Sequence, residues 1–180
     1  MKTIKYNTIL KKIIGINLNV YKFFSGRYIV YEKNGKGKEY NCDGELRFEG
    51  EYLHGKRNGK GKEYYNDGKL RFEGEYLDGL RNGKGKEYDN DGKLIFEGEY
   101  LNGKRNGKGK EYYYGKLIFE GEYLNGKRNG KGKEYSYFGN LEFEGEYLNG
   151  ERNGKGKEYY EGELEFEGEY VNGERKRKRI

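Results

Sequence analysis

Apolar and polar residues alternate in short stretches of this chain. In Leu70–Leu77, LRFEGEYL, the residues Leu, Phe, Gly and Tyr alternate with charged residues and a final Leu, which is the period of a β-strand. A second stretch, GKGKEYY, begins at Gly59, and the sequence Asn-Asp-Gly at 66–68 between the two is typical of a hairpin turn. The glycines in both stretches disfavour a helix. The pattern therefore predicts a β-hairpin.

This hairpin sequence recurs along most of the chain. The motif FEGEY occurs six times at spacings of 23 or 24 residues, and the motif NGKGKEY also occurs six times. The segment FSGRY, 24 residues before the first FEGEY, resembles a degenerate further copy. We therefore predict seven hairpin repeats in residues 24–174. They begin near Phe24, Phe48, Phe72, Phe96, Phe119, Phe143 and Phe166.

The pairing within the sheet follows from the turn, because residues directly opposite each other share a face. Pairing Tyr65 with Leu70 across the turn places Gly61 opposite Gly74. One face of the sheet then carries rows of Phe, Gly and Tyr, whose rings can lie across glycines that have no Cβ.

The opposite face carries charge. Pairing Tyr52 with Gly61 on the other side of the same strand places Glu51 opposite Lys62, so that Lys62 lies between Glu51 and Glu73. Alternating acidic and basic strands favour this register, because like charges opposite each other would oppose it.

The aromatic face is the candidate interaction surface, and the glycines below it are expected to be structurally intolerant. The surface consists of Phe72, Tyr76, Phe96, Tyr100, Phe119, Tyr123, Phe143 and Tyr147. The structural glycines are Gly50, Gly61, Gly74, Gly98, Gly121 and Gly145.

Two kinds of turn are expected. The only histidine, His54, is placed at a hairpin tip, where the sibling repeats carry Asp78, Asn102, Asn125 and Asn149. The 23-residue repeats fit with three-residue loops such as Tyr114-Gly115-Lys116, in which Gly115 adopts a left-handed conformation.

Composition indicates an ordered but thin fold. The 180 residues are 38% charged and include 32 glycines with no proline or tryptophan, which is too hydrophilic for a thick core. They also include 21 tyrosines and nine phenylalanines, whereas disordered chains are poor in aromatic residues. Cys42 is the single cysteine, which excludes an internal disulfide framework and a cysteine-rich zinc site.

Charge is unevenly distributed. Residues 1–24 contain five lysines and no acid, and a basic tail follows the repeats. The 150 residues between them hold 27 basic and 31 acidic residues, a net charge of −4. A continuous basic groove for nucleic acid is not expected from this distribution. The basic tail consists of Arg175, Lys176, Arg177, Lys178 and Arg179.

The pattern YxGxY…NGKxNGxGxxYYxxGKL, at a period near 23, resembles the MORN repeat, and its GKEYY…GKL portion resembles the second MORN subtype. The resemblance covers about 155 residues in seven copies, with Tyr where the commoner pattern has Trp and Asn where HGxG has His. It implies an all-β, elongated single-layer antiparallel sheet of tandem hairpins. It also implies a scaffold or interaction surface without catalytic activity, with membrane-lipid binding proposed for some members.

Motifs for other chemistry are incomplete. Gly50–Lys56 fits the GxxxxGK of a phosphate-binding loop, but Arg57 follows where a Ser or Thr is needed, and no helix is expected after it. Glu87–Gly92 resembles the start of a calcium loop, but the glutamate of its twelfth position is absent. One histidine and two serines do not assemble a convincing catalytic triad. Repeated glutamates are better explained as a solvated charge ladder than as a carboxylate pair. We expect no enzyme activity, cofactor, metal or small-molecule substrate.

Residues 1–23 lie outside the repeats and are expected to cap the first hairpin. Residues 4–13 fit a short basic amphipathic helix, followed by an extended segment. The apolar stretch is too short and broken for a transmembrane helix, and no signal-peptide cleavage site follows, so a cytoplasmic location is expected. The segment RKRKR would also fit a nuclear localisation signal in a eukaryotic host.

Two function classes remain open. The first is a non-catalytic scaffold that binds partner proteins. The second is a peripheral membrane module that binds anionic phospholipid through its basic ends. The net negative charge of the repeats favours the first.

Overall fold

The protein forms one open antiparallel sheet, as the sequence predicts. A computed structural model describes residues 26–176, so the predicted N-terminal cap and the repeat start at Phe24 lie outside the described residues. Within them, fourteen strands follow one another in chain order, each hydrogen-bonded to the next. A short 3-10 turn, Lys33–Gly35, joins the first two strands. The prediction of an all-β, single-layer sheet of tandem hairpins is confirmed.

The strands are β1 (Arg27–Tyr31), β2 (Lys36–Asn41), β3 (Leu46–Leu53), β4 (Lys56–Tyr64), β5 (Leu70–Leu77), β6 (Leu80–Tyr88), β7 (Leu94–Leu101), β8 (Lys104–Tyr113), β9 (Lys116–Leu124), β10 (Lys127–Tyr135), β11 (Leu141–Leu148), β12 (Glu151–Tyr160), β13 (Glu163–Val171) and β14 (Glu174–Arg175). The sheet therefore has two long edges. The hairpin tips, such as that between β5 and β6, form one edge. The longer turns, such as that between β4 and β5, form the other.

The hairpin tips are two-residue turns with left-handed backbone. At the first regular tip, His54 has φ 50° and Gly55 has φ 78°. This geometry suits Asn, Asp and Gly, which explains the residues found at the sibling tips. The 23-residue repeats have a two-residue turn at the other edge too, because Tyr114 and Gly115 are both left-handed, with φ 47° and 77°. The predicted three-residue loop is therefore wrong by one residue, since Lys116 already belongs to β9.

The predicted register is confirmed between β4 and β5, where Gly61 lies opposite Gly74 and Lys62 opposite Glu73. At the turn, however, Leu70 pairs with Tyr64 instead of Tyr65. The register shifts there because β5 accommodates one extra residue, Arg71, just after the turn.

The predicted register between β3 and β4 is wrong by two residues. Gly50, and not Tyr52, lies opposite Gly61, while Tyr52 pairs with Arg57. The reason is a bulge in β4, where four steps of chain match two steps of β3. Gly59 in this bulge has φ 72°, which a residue with a side chain adopts only with strain. Lys62 consequently lies between Glu49 and Glu73 instead of between Glu51 and Glu73.

The core is a single row of aromatic rings on one face of the sheet. The Phe72 ring packs edge-to-face against Tyr76 of its own strand at 5.7 Å and against Tyr100 of the next repeat at 5.2 Å. The same contacts recur along the array, so the rings form a continuous chain of T-shaped pairs.

Glycines allow this row to lie flat on the sheet. A Cβ on Gly74 would lie 2.7 Å from the Cα of Gly85, the carbonyl oxygen of Lys84 and the Cζ of Phe72. The space above each predicted structural glycine is similarly filled by a Phe ring. These are Gly50, Gly61, Gly74, Gly98, Gly121 and Gly145.

Candidate functional site

The predicted interaction surface is buried and requires correction. The Phe side chains of the row are 0% exposed and the Tyr side chains of the regular repeats 4%. These are Phe72, Tyr76, Phe96, Tyr100, Phe119, Tyr123, Phe143 and Tyr147. A one-layer sheet can bury them because arginine side chains from the hairpin tips fold over the rings. The eight side chains are therefore core residues.

The covering arginines form a ladder with partly buried glutamates. Arg81 lies 3.9 Å above the centre of the Phe72 ring, and its guanidinium binds Glu63 at 2.6 Å and Glu87 at 2.8 Å. Each glutamate thus bridges two successive arginines. The ladder consists of Glu39, Arg57, Glu63, Arg81, Glu87, Arg105, Glu111, Arg128, Glu134, Arg152, Glu158 and Arg175.

Sequence reasoning missed this ladder. The bulge brings Arg57 opposite Tyr52, beside the aromatic rings, and the bulge was not predicted. One signal was present in the sequence. The residue after each tip is Lys, Leu or Glu, whereas the next residue is Arg in every copy from Arg57 to Arg175.

The ladder holds the carboxylate of Glu63 ionised. Burial alone would raise the pKa of Glu63, but the hydrogen bond and charge of Arg81, with the charge of Arg57, outweigh it and hold that pKa below its ordinary value. Burial, with the nearby charge of Glu63, raises the pKa of Tyr76 well above its ordinary value. The Tyr76 hydroxyl therefore remains a donor, and it donates to Glu63 at 3.0 Å.

The opposite face of the sheet forms a continuous groove of about 1710 Å³. Its floor alternates between strands that present Glu-Gly-Glu and strands that present Lys-Gly-Lys, from Glu32 to Glu169. We call the charged side chains of each such strand an acidic or a basic rung of the groove. Neighbouring rungs form long ion pairs, as Lys86 does with Glu97 at 3.7 Å and Lys133 with Glu144 at 3.5 Å. The side chain of Lys86 is 49% exposed and that of Glu97 33%, so the charges remain accessible to a partner.

Tyrosines border this groove at the longer-turn edge. The Tyr88 hydroxyl donates to Glu73 at 2.8 Å, and the same bond recurs in the other regular repeats. Burial, together with the hydrogen bond to Glu73, raises the pKa of Tyr88 to about 12. These tyrosines thus fix one glutamate on each of β3, β5, β7, β9 and β11.

Leucines border the groove at the hairpin-tip edge, on the same face as the rungs. Leu77 is 52% exposed, and equivalent side chains follow in each repeat. The row consists of Leu53, Leu77, Leu101, Leu124, Leu148 and Val171. The groove therefore has a charged floor between an aromatic and an aliphatic border.

Other candidate chemistry is not brought together in residues 26–176. In this range no group of three or more His, Cys, Asp or Glu side chains is arranged to hold a metal ion. Nor does any helix of this range have the length and apolar character needed to cross a membrane. Cys42 is exposed, and His54 lies at a hairpin tip, as predicted.

Comparison with protein families decides the assignment of the repeats. The family model described as MORN repeat matches five times, at residues 48–69, 72–93, 96–116, 119–137 and 143–163, which together make up more than half of the chain. The chain is a MORN-repeat protein. Each of the five matched ranges of the MORN array begins at the phenylalanine of an FEGEY motif. No curated protein sequence matches the chain.

Among solved structures, the MORN-repeat protein is similar to a chain in "Crystal structure of GtfA/B complex bound to UDP and GlcNAc". The identity is 14% and the TM-score 0.23, with 78% of this chain and 24% of that chain covered. The chain thus spans about a quarter of that protein's length. A TM-score this low supports no conclusion about a shared fold or function.

Part of the predicted basic tail belongs to the array. Arg175 is the last residue of β14 and binds Glu158 and Glu165, and Lys176 binds Glu169 at 2.6 Å. Arg177, Lys178 and Arg179 lie outside the described residues.

Proposed function

We propose that this MORN array is a non-catalytic scaffold that binds partner proteins along its charged groove. MORN repeats are commonly modules for interaction with proteins or membranes, and the family is in general non-enzymatic. The groove carries the proposal because its charges are partly exposed on every hairpin, whereas the aromatic face is buried. The partner is expected to be an extended segment.

The groove's charge pattern indicates what such a partner carries. Acidic and basic rungs alternate from strand to strand, at about 4.8 Å spacing. An extended partner segment whose groove-facing side chains alternate between acidic and basic would place charges over rungs of opposite sign. The exposed leucine row along the groove, for example Leu77 and Leu101, offers apolar contacts to the same segment.

Neutralising a few groove lysines tests this proposal. The groove variant is Lys86→Gln, Lys110→Gln and Lys133→Gln. The control variant is Lys56→Gln, Lys104→Gln and Lys127→Gln, which removes the same charge from the hairpin tips outside the groove. Affinity capture from the native host with the full chain, quantified by mass spectrometry, compares the two variants.

We expect proteins that the wild type and the tip variant capture equally and the groove variant loses. Equal capture by all three forms, or capture of no protein by any of them, would contradict the groove as the binding surface.

A further inference from the structure

The longer-turn edge of the array changes character half-way along the chain. Its first three turns carry polar pairs at their centres, which are Cys42–Asp43, Asn66–Asp67 and Asn90–Asp91. The next three carry exposed aromatic side chains. These are Tyr113 (56% exposed), Tyr114 (59%), Tyr137 (51%), Phe138 (88%) and Tyr160 (69%), which we call the aromatic edge.

The rings of Tyr137 and Phe138 are not needed for the backbone of their turn. The turn that contains Tyr137 and Phe138 has the backbone hydrogen bonds of the polar turns, since Gly139 N–H donates to Ser136 as Gly68 N–H does to Tyr65. The polar turns therefore show that Asn-Asp-Gly satisfies the same backbone. Exposed clusters of large aromatic side chains are typical of interaction sites, because Tyr and Phe bury large area at small entropic cost.

The spacing of these rings selects one class of partner. Adjacent turns on this edge are two strands apart, which corresponds to about 9.6 Å. A polyproline II helix repeats every three residues at about 3.1 Å per residue, or about 9.3 Å per turn. Prolines at every third position would therefore meet one aromatic turn each, over three successive turns.

The chemistry of the edge agrees with this spacing. A polyproline II segment has no internal hydrogen bonds, so its carbonyl oxygens are free to accept from tyrosine hydroxyls. Aromatic-lined surfaces are the recurrent docking sites for such segments. The chain itself contains no proline, so a second copy of it cannot supply the segment.

Charged residues at the two ends of the aromatic edge would give a bound peptide a preferred direction. Lys93 lies at the end nearer the polar turns, with Nζ 4.2 Å from the centre of the Tyr114 ring. Glu161 and Glu163 are exposed at the other end, and neither forms an ion pair within residues 26–176. A proline-rich segment with basic residues at one end would place them over these two glutamates.

We propose that the aromatic edge binds a proline-rich peptide in the polyproline II conformation, with a basic residue at the end that meets Glu161 and Glu163. The edge is separate from the groove, so this inference does not rest on the proposed groove binding. A groove variant that retains peptide binding and an edge variant that retains groove partners would distinguish the two.

The test uses the full chain and a short fluorescent peptide with proline at every third position and two arginines at one end. The edge variant Tyr137→Asn/Phe138→Asp copies the turn at Asn66–Asp67 and should fold unchanged by circular dichroism. The control is Leu148→Asn, which removes an exposed side chain from the far end of the strand that follows this turn.

Fluorescence anisotropy should show binding that the edge variant weakens at least tenfold and the control leaves unchanged. A peptide with the same arginines but alanine in place of proline should not bind. Glu161→Gln/Glu163→Gln should weaken binding severalfold, and the difference should disappear at high salt.

Three results would overturn the proposal. They are no peptide binding at millimolar concentration, equal binding of the alanine peptide, and binding undiminished in the edge variant. A β-1,4-linked glucose hexasaccharide is tested in parallel, since rows of exposed rings also stack on sugars. Binding of the sugar with no binding of the peptide would assign the edge to glycans instead.

Discussion

The guanidinium carbon of Arg105 lies 4.0 Å from the centre of the Phe96 ring. Its nitrogens also reach Glu87 at 2.6 Å and Glu111 at 3.8 Å. A guanidinium can stack on an aromatic face and bind carboxylates at its edge at the same time. One arginine per repeat thus does what a second layer of secondary structure does in most domains, because it excludes water from the rings.

Replacing one of these arginines should therefore open the core. Arg105→Ala exposes the Phe96 ring and leaves Glu87 partly buried without that partner, so we expect a loss of about 3 kcal/mol in the free energy of unfolding. Lys104→Ala, one residue earlier on the exposed side of the same strand, should cost less than about 0.5 kcal/mol. Thermal unfolding followed by circular dichroism measures both. Equal shifts in melting temperature would show that the arginine does not cover the core.

A side chain on a glycine below the rings should be costly. Gly74→Val introduces a Cβ that would lie 2.7 Å from two backbone atoms of the adjacent strand, and backbone cannot rotate away. We expect destabilisation of about 3 kcal/mol, at the upper end of the range for overpacked sites.

The adjacent residue provides the control for that substitution. Glu75 is exposed on the groove face, where its carboxylate accepts from the Lys84 N–H at 3.4 Å, and a glutamine oxygen can accept the same bond. Glu75→Gln should therefore change the melting temperature little. A Gly74→Val protein as stable as Glu75→Gln would contradict the assignment of the two faces.

Much of the fold could be predicted because each local signal agrees with the repeat. Leu70–Leu77 was predicted as a strand with the bounds of β5, since its alternation and the flanking turn both point to that length. The bulge could not be predicted, because Asn58-Gly59 has the composition of an ordinary turn and only the pairing partner shows that the chain continues as a strand.

The error in the candidate site follows from that bulge. In the register predicted without it, with Tyr52 opposite Gly61, Arg57 falls in the turn instead of opposite Tyr52, so that the aromatic rings lack a cover. With it, the arginine lies over the Phe48 ring at 4.2 Å. The groove face was predicted as a charge ladder, and its alternation of Lys and Glu is present, although Glu49 occupies the place predicted for Glu51.

Acid should destabilise the array through the partly buried ladder of arginines and glutamates. The pKa values of Glu63 and Glu111 lie below the ordinary value of 4.5 in the folded chain. A carboxyl with a lowered folded pKa contributes stability above its unfolded pKa, and this contribution is lost as pH falls through the folded value. We therefore expect a melting temperature that is nearly constant above about pH 5 and falls progressively below about pH 4.5.

A variant isolates the contribution of one ladder glutamate to this loss of stability in acid. Glu63→Gln should be less stable than the wild type at neutral pH, and its melting temperature should fall less on acidification. Glu151→Gln, at an exposed hairpin tip outside the ladder, should reproduce the wild-type curve. A Glu63→Gln curve parallel to that of the wild type would contradict this assignment.

The remaining prediction separates a protein scaffold from a membrane module. Residues 25–174 carry a net charge of −4, and Arg175 and Lys176 are engaged with Glu158 and Glu169. Attraction to anionic lipid must then come from residues 1–24 and from Arg177–Arg179. Full-length protein should therefore sediment weakly with vesicles that contain phosphatidylserine, and salt should release it, because the Debye length at physiological ionic strength is about 8 Å.

Three charge-matched variants locate any such binding. Each basic residue near an anionic surface contributes about 1 kcal/mol, so Arg177→Gln/Lys178→Gln/Arg179→Gln should weaken vesicle binding at least tenfold. The tip variant of Lys56, Lys104 and Lys127 and the groove variant of Lys86, Lys110 and Lys133 should bind vesicles like the wild type. Loss of vesicle binding in the groove variant alone would make lipid the occupant of the groove, because these lysines are its only altered residues.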